Sequence, residues 1–337
     1  MRINCWLNSR LHDCLKKICV IGLVLLLIAC GSDDGSSQAD NINTKQLSDG
    51  VCDNLGVDPS YAFEPMIYTQ PGIHLLVMGD TGTGGEQQKQ AAQLFENFHI
   101  NYPFDAIIHT GDVFYPSGIS SSDHPYTDSR FKDIYFTKSY GGLPWYLVAG
   151  NHDYDGSIGA LKGFFAQHDN LNFANNYYHQ RLTQDGVVID LLALDTDPVI
   201  KGAVQAEQIS WLADTFATVS KQQSVIIAFG HHPIFSNGSH GNNDALTGIF
   251  YDMLKQYQTA LYLAGHDHNL EYLVKDNVPQ FVISGAAGKT LRDIDCGKHS
   301  YYAASKAGGF ALYVQRAQIW IIPLTSSSEQ IMFKLAL

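Results

Sequence analysis

At five places in this chain a glycine is followed directly by side chains that bind metals: Gly79-Asp80, Gly111-Asp112, Gly150-Asn151-His152-Asp153, Gly230-His231-His232 and Gly265-His266-Asp267-His268. Together they offer two carboxylates (Asp80, Asp112), an amide (Asn151) and imidazoles at His231, His266 and His268. Tyr115 follows three residues after Asp112. Two cations held roughly 3.5–4 Å apart need one shared carboxylate and separate terminal ligands, and this inventory can supply both. Mixed oxygen and nitrogen donors suit Fe, Zn or Mn better than Ca or Mg. No cysteine takes part, which excludes a cysteine-based structural zinc site. Singly, each residue has a plain explanation. Gly-Asp after a strand is a turn, Asn-His-Asp a capped loop, and Tyr115 a core aromatic. The order of the strings, and their shared place after apolar runs, points to one site. The remaining histidines at 74, 99, 109, 168, 179 and 299 read as surface or hydrogen-bonded core residues, and His124 as part of a solvated loop.

The elements that would position these side chains follow from periodicity. Apolar runs suited to buried strands lie at 73–79, 105–110, 145–149, 187–195, 224–230 and 260–264. Helical stretches run from Glu86 to His99, from Ala203 to Val219 and from Asp244 to Gln256. In the second, Ile209, Leu212 and Phe216 share a face. This alternation predicts an α/β layered domain. Ligands in such sheets gather at the carboxyl ends of strands, where the five strings sit. Segments 280–284, 309–315, 318–324 and 329–336 are strand-like with short connections and are expected to pair antiparallel.

The chain has 337 residues, 45% hydrophobic and 16% charged, the balance of a globular protein with a sizeable core. Its net charge of −12 repels nucleic-acid backbones and anionic membranes, which argues against wrapping DNA. It repels phosphate esters as well, so a phosphate site needs its own local positive charge, and bound metal ions are one source.

Arg2, Arg10, Lys16 and Lys17 precede an unbroken apolar run from Ile18 to Ala29, the order of an export signal. The run falls short of the ~20 residues of a comfortable transmembrane helix. Leu27-Ile28-Ala29-Cys30, then Gly31 and a Ser/Asp-rich stretch, has the form of a bacterial lipoprotein signal, with a plain cleaved signal or an uncleaved anchor as alternatives. The expected organisation is therefore 1–29 lipoprotein signal peptide, 30–66 lipidated N-terminus and flexible linker, and 67–337 catalytic domain. Gly31 favours the outer membrane, facing periplasm or cell surface. Cys5, Cys14 and Cys19 leave with the signal and Cys30 carries lipid. Cys52 and Cys296 remain and, exported, could form one disulfide.

The strings GDTG, GDVFY, GNHD, GHHP and GHDH resemble, in order, the five blocks of the metallophosphoesterases. The tyrosine of the second block narrows the resemblance to the purple acid phosphatases. Pro144–Asp153 and Tyr262–Leu273 are similar to the small, tartrate-resistant type. The similarity covers roughly residues 72–337. It implies an α/β four-layer sandwich, two mixed β-sheets flanked by helices. It implies a ferric ion held by Asp80, Asp112, Tyr115 and His268, and a divalent Fe, Zn or Mn held by Asp112, Asn151, His231 and His266, with Asp112 bridging. His232 stands where relatives often carry tyrosine, which leaves open whether it or His231 faces the metal; the alignment of Gly230-His231 favours His231. His152 and His240 would contact the phosphate or the leaving oxygen. The implied activity is hydrolysis of phosphate monoesters in acid by a metal-bound hydroxide, on small esters or phosphoproteins, by a monomer on a lipid anchor. A metallophosphodiesterase or nucleotidase with the same core is the enzymatic alternative, and a phosphate- or metal-binding lipoprotein the non-enzymatic one.

Overall fold

A computed structural model describes residues 45–337, apart from 48, 54, 55, 57, 174 and 204. The expected export signal, Cys30 and the first part of the tether lie outside the described residues. Two sheets face each other. The first has the strand order Tyr61–Ala62, Ile331–Ala336, Gln318–Thr325, Gly308–Val314, Ile73–Met78, Ala106–His109, Trp145–Leu147, Leu171–Asn172. The second runs Ser300–Ala304, Leu270–Leu273, Gln280–Ser284, Leu261–Ala264, Val225–Phe229, Val187–Ala193, Tyr178–Gln184.

Side chains alternate across each strand, so every central strand serves two cores. Leu75 and Val77 point between the sheets, where they meet Leu191, Ile227, Phe229 and Leu263. Leu76 and Met78 point outward against Ala91 and Phe95 of the helix Glu86–Asn101. On the other side, Leu192, Ile226 and Ala228 meet Leu212 and Phe216 of the helix Ala206–Val219. The result is helix, sheet, sheet, helix, the four-layer sandwich the motifs imply. Burial on both faces also explains why these strands read as unbroken apolar runs; each fully buried aliphatic side chain contributes ~1.5–3 kcal/mol.

The structure departs from the periodicity reading in two places. Gln280–Ser284 pairs parallel with Leu261–Ala264 and antiparallel only with Leu270–Leu273, so it belongs to the second sheet rather than to an antiparallel tail. Tyr178–Gln184 is a strand that the apolar runs missed. It is an edge strand, and edges carry polar side chains, here His179, Gln180, Arg181 and Gln184. Within the expected linker some described residues are paired. Lys45–Gln46 pairs with Cys52–Asp53, Val51 bridges Tyr302, and Tyr61–Ala62 pairs with Ile331 and Met332. Cys52 and Cys296 are disulfide-bonded across a sequence separation of 244. Asp244–Gln256 is helical as expected, with a π-turn over Thr247–Tyr251.

One buried charge cluster lies far from the glycine strings. Asp190 is fully buried and accepts from Arg181 Nη2 at 2.7 Å and Nε at 2.9 Å, from His179 Nε2 at 2.6 Å and from Ser224 Oγ at 2.5 Å. Burial opposes its charge, but the hydrogen bonds from Arg181, Ser224 and His179 outweigh burial and hold its carboxyl below the usual range.

Two measurements test these anchors. Replacing Cys52 and Cys296 together by serine should lower stability by about 2–4 kcal/mol, read as an earlier denaturation midpoint, because the unfolded chain loses its long-range tie. Asp190→Asn should destabilise by about 2 kcal/mol at pH 6. A carboxyl depressed in the folded state stabilises above its unfolded value of about 3.9 and stops doing so as pH falls through its folded value. The gap between variant and wild-type urea midpoints should therefore persist to pH 5 and close only below about 4.

Candidate metal centre

Parallel register brings the strand ends level. Met78 pairs with His109 and His109 with Leu147 in the first sheet, and Phe229 pairs with Leu263 in the second. The turns that follow, at Asp80, Asp112, Asn151, His231 and His266, therefore open on one end of the sandwich. Asp80, Asp112 and His266 take left-handed backbone angles, φ of 57°, 54° and 67°. That conformation costs roughly 1–2 kcal/mol for a side-chain-bearing residue and marks positions that the surrounding structure enforces.

The convergence of side chains is close. Ligand atoms of Asp80, Asp112 and His231 lie within 4.8 Å of one another. Tyr115 Oη donates to Asp80 Oδ1 at 3.0 Å and stands 3.3 Å from His268 Nε2, which is 3.6 Å from Asp80 Oδ1. His231 Nε2 is 3.5 Å from Asp112 Oδ1 and 3.0 Å from Asn151 Oδ1, and His266 Nδ1 is also 3.0 Å from Asn151 Oδ1. Two backbone N–H groups fix the carboxylates: His266 donates to Asp80 Oδ2 and His152 to Asp112 Oδ1, both at 2.9 Å.

Tautomers follow from the far side of each ring. His231 Nδ1 lies 2.9 Å from Thr110 O and His268 Nδ1 lies 3.0 Å from Thr290 O. A carbonyl only accepts, so each Nδ1 carries a proton, and in the neutral ring Nε2 turns its lone pair into the site. There His231 Nε2 meets the carboxylate of Asp112 and the amide oxygen of Asn151, acceptor against acceptor. Metal-binding imidazoles are oriented by the same kind of carbonyl contact.

The electrostatics repeat the pattern. Asp80 is held well above the usual carboxylate range by burial and then by the charge of Asp112. Burial, then Asp80 and Asp112, push the Tyr115 phenol up. His268 is brought down to about 4 by burial and next by Arg292. Burial and the neighbouring imidazoles of His231 and His232 hold His266 lower still. Crowded acceptors that resist both ionising and protonating are what a bound cation relieves. The residues fit a pair of cations, with Asp112 between an oxygen-rich group (Asp80, Tyr115, His268) and a nitrogen-rich one (Asn151, His231, His266).

His231, and not His232, meets Asp112 and Asn151. The His232 Nδ1 lies 2.8 Å from Thr196 Oγ1 and its ring packs on His266 at 4.4 Å between centroids, with a nitrogen within 4.8 Å of ligand atoms of His231 and His266. Its buried Nε2 has no hydrogen-bond partner. At the mouth, His240 stacks on His266 at 4.0 Å and His152 packs on Tyr115 at 4.5 Å. His109 is the hydrogen-bonded core histidine expected: Gly111 N donates to its Nδ1 at 3.2 Å, and burial holds it at about 3.

Sequence reasoning passed over two carboxylates. Asp153 accepts from Gly150 N at 2.9 Å, Val113 N at 3.0 Å and Phe114 N at 3.1 Å, tying the Asp112 turn to the Asn151 turn. Burial and the charge of Asp112 push it up to about 7. Asp267 accepts from Ser236 Oγ at 2.6 Å and His240 N at 3.1 Å, tying the His240 loop to the His266 turn. Each follows a histidine of its string, a regularity visible in the sequence whose purpose is not.

Glycine is required where turns touch carboxylates. A Cβ on Gly150 would sit 2.1 Å from Asp112 Oδ1, and one on Gly265 2.3 Å from Asp80 Oδ2. Gly150→Ala should cost about 1–3 kcal/mol by overpacking and displace Asp112, so the metal retained after loading, by elemental analysis, should fall. Gly142→Ala, with nothing within 4 Å of its Cβ, should change neither.

Comparison with known proteins agrees with this geometry. The calcineurin-like phosphoesterase family matches residues 73–270, more than half of the chain. Pig tartrate-resistant acid phosphatase type 5 is 30% identical over 63% of this chain and 68% of its own length. Purple acid phosphatase 3 of Arabidopsis thaliana is 32% identical over 67% of this chain and 66% of its own. A yellow lupin purple acid phosphatase superposes with a TM-score of 0.60 at 15% identity, over 78% of this chain and 53% of that one, a likeness of fold. With the five glycine strings converging on one end of the sandwich, these matches place the chain in the calcineurin-like phosphoesterase family, on its purple acid phosphatase branch.

Proposed function

We propose that this chain is an acid phosphatase that hydrolyses phosphate monoesters at a dinuclear centre. Asp80, Asp112, Tyr115 and His268 would hold a ferric ion, and Asp112, Asn151, His231 and His266 a divalent Fe, Zn or Mn. The observation that carries this reading is the crowded cluster in which His231 Nε2 faces Asn151 Oδ1 at 3.0 Å and Asp112 Oδ1 at 3.5 Å. The curated relatives named above, acid phosphatases, support the same activity. When bound, the ions supply Lewis acidity that acidifies water and offsets the charge of the phosphate.

The remaining work belongs to the protein. Thr110 O and Thr290 O hold two imidazoles in the tautomer that presents Nε2. Asp153 and Asp267 keep the turns together, so the ligands need little rearrangement when charge develops. His240 and His152 stand at the mouth, where either can hold a phosphate oxygen or pass a proton to the leaving oxygen. His240 is fixed by the hydrogen bond from its N–H to Asp267 and by its stacking on His266. Export on a lipid anchor is part of the same proposal. It is supported by the run from Ile18 to Cys30 and by the Cys52–Cys296 disulfide, a bond that persists in oxidising compartments.

Purified protein loaded with iron and zinc should turn over p-nitrophenyl phosphate in acid and its bis ester far more slowly. Chelation should abolish activity and metal should restore it. Turnover of the bis ester as fast as the monoester would favour a phosphodiesterase, and no turnover of either would leave a binding protein. Tyr115→Phe should remove a visible phenolate–iron band while some hydrolysis survives; an unchanged spectrum would take Tyr115 out of the iron site.

A further inference from the structure

The segment between the strands Gln280–Ser284 and Ser300–Ala304 crosses the mouth of the site and is fastened to the turns that carry the ligands. Lys289 N donates to Asp80 O at 2.9 Å and Arg292 N to His268 O at 3.0 Å. Thr83 Oγ1 donates to Gly288 O at 3.0 Å, and Thr290 O receives His268 Nδ1. A Cβ on Gly288 would lie 2.0 Å from Thr81 O, so this backbone lies directly on the Asp80 turn. The placement of the side chains at 289 and 292 is therefore set by the site.

Both side chains are cations. The Lys289 ammonium lies 4.6 Å from the centre of the Tyr115 ring. Among the described residues no carboxylate is within ion-pair distance of it. Arg292 Nη1 is 3.2 Å from Ser239 Oγ and 3.7 Å from Asp267 Oδ1, beside the His240 loop. About a third of the Arg292 side chain is exposed, so it reaches solvent at the opening. In a chain whose net charge is −12, this segment places two cations three residues apart at the mouth, followed by the exposed Asp293 and Asp295. They are not needed to neutralise Asp80 and Asp112 once metals occupy the centre. Next to bound cations they would repel, unless the ligand that enters brings more negative charge than the metals offset. Both belong to the one segment, Lys289 over Tyr115 and Arg292 beside the His240 loop, so the extra charge they meet lies along one edge of the opening.

We infer that Lys289 and Arg292 form an anion-recognition edge that selects phosphate monoesters bearing a second negative group, a carboxylate or a further phosphate, on the leaving-group side. The inference rests on the phosphatase reading and deepens it by naming the substrate class. Lys289 meets the second group as a point charge over the Tyr115 ring. Arg292 meets it with the N–H groups not turned to Ser239, and Asp267 keeps its guanidinium in place.

The test separates recognition from turnover. Binding of phenylphosphonate and of 3-carboxyphenylphosphonate to the metal-loaded protein is measured by titration calorimetry, in wild type and in Lys289→Gln, Arg292→Gln and Lys221→Gln. Lys221 is exposed at the opposite end of the sandwich and carries the same charge change. Wild type should bind the carboxylated ligand more tightly. Lys289→Gln and Arg292→Gln should each reduce that preference about fivefold, Lys289→Arg should restore it, and rising salt should erode it. Lys221→Gln should leave it intact. Equal affinity for the two phosphonates in wild type, or a preference that survives both Lys289→Gln and Arg292→Gln, would overturn the inference. Turnover of phenyl phosphate by the same wild-type sample reports separately on the phosphatase reading. Its absence would remove the hydrolytic step, while the phosphonate ratio would still decide whether this edge recognises a second anion.

Discussion

Two buried carboxylates and the lone pairs turned toward them form the constraint on which the rest of this protein depends. Asp80 and Asp112 are almost wholly inaccessible to solvent, and each receives one backbone N–H from a neighbouring turn. Tyr115 gives one further hydrogen bond, and the other approaching groups at this centre are acceptors. Carbonyls behind the rings hold two imidazoles in the orientation that makes this so. An apolar interior tolerates such a cluster only if positive charge is brought in, which is why the geometry and the donor types point to the same chemistry.

The sandwich makes the cluster affordable in conformational terms. Parallel strands from two sheets end level, and a glycine at each end lets the next residue turn back over its own strand. Three of those residues sit in the left-handed region, a cost that isolated loops would relax. Asp153 and Asp267 prevent relaxation by bridging one turn to another through backbone donors, and packing on both faces of each sheet leaves the turns nowhere to retreat. The same closeness explains why alanine is excluded at Gly150 and Gly265.

Charge is distributed in the same hierarchy. The chain is acidic overall, and His152, His240, Lys289 and Arg292 gather at the mouth. The two histidines belong to the loops that carry the ligands or cover them, whereas the two cations come from a segment with no metal-binding residue. That segment shares its hydrogen bonds with the Asp80 and His268 turns, so recognition at the rim and geometry at the centre are mechanically one piece.

Most of the central strands, the helices Glu86–Asn101 and Ala206–Val219, and the turns that carry metal-competent side chains were legible in the sequence, because burial on two faces writes an unbroken apolar run and glycine before Asp or His writes a turn. The polar edge strand Tyr178–Gln184 left no such trace, since an edge buries little. The parallel partner of Gln280–Ser284 was hidden too, because strand composition does not record the direction of a neighbour. The Cys52–Cys296 bond and the pairing of Val51 with Tyr302 and of Tyr61–Ala62 with Ile331 and Met332 needed distances between segments more than two hundred positions apart. The sequence alone determined which atoms are available as ligands and roughly where each strand ends. Tertiary structure decided that His231 rather than His232 meets Asp112, that Asp153 and Asp267 act as clamps, and that Lys289 and Arg292 stand at the mouth. Those outcomes depend on which lone pair or charge faces which across the two sheets, and that is a property of packing, not of composition or spacing.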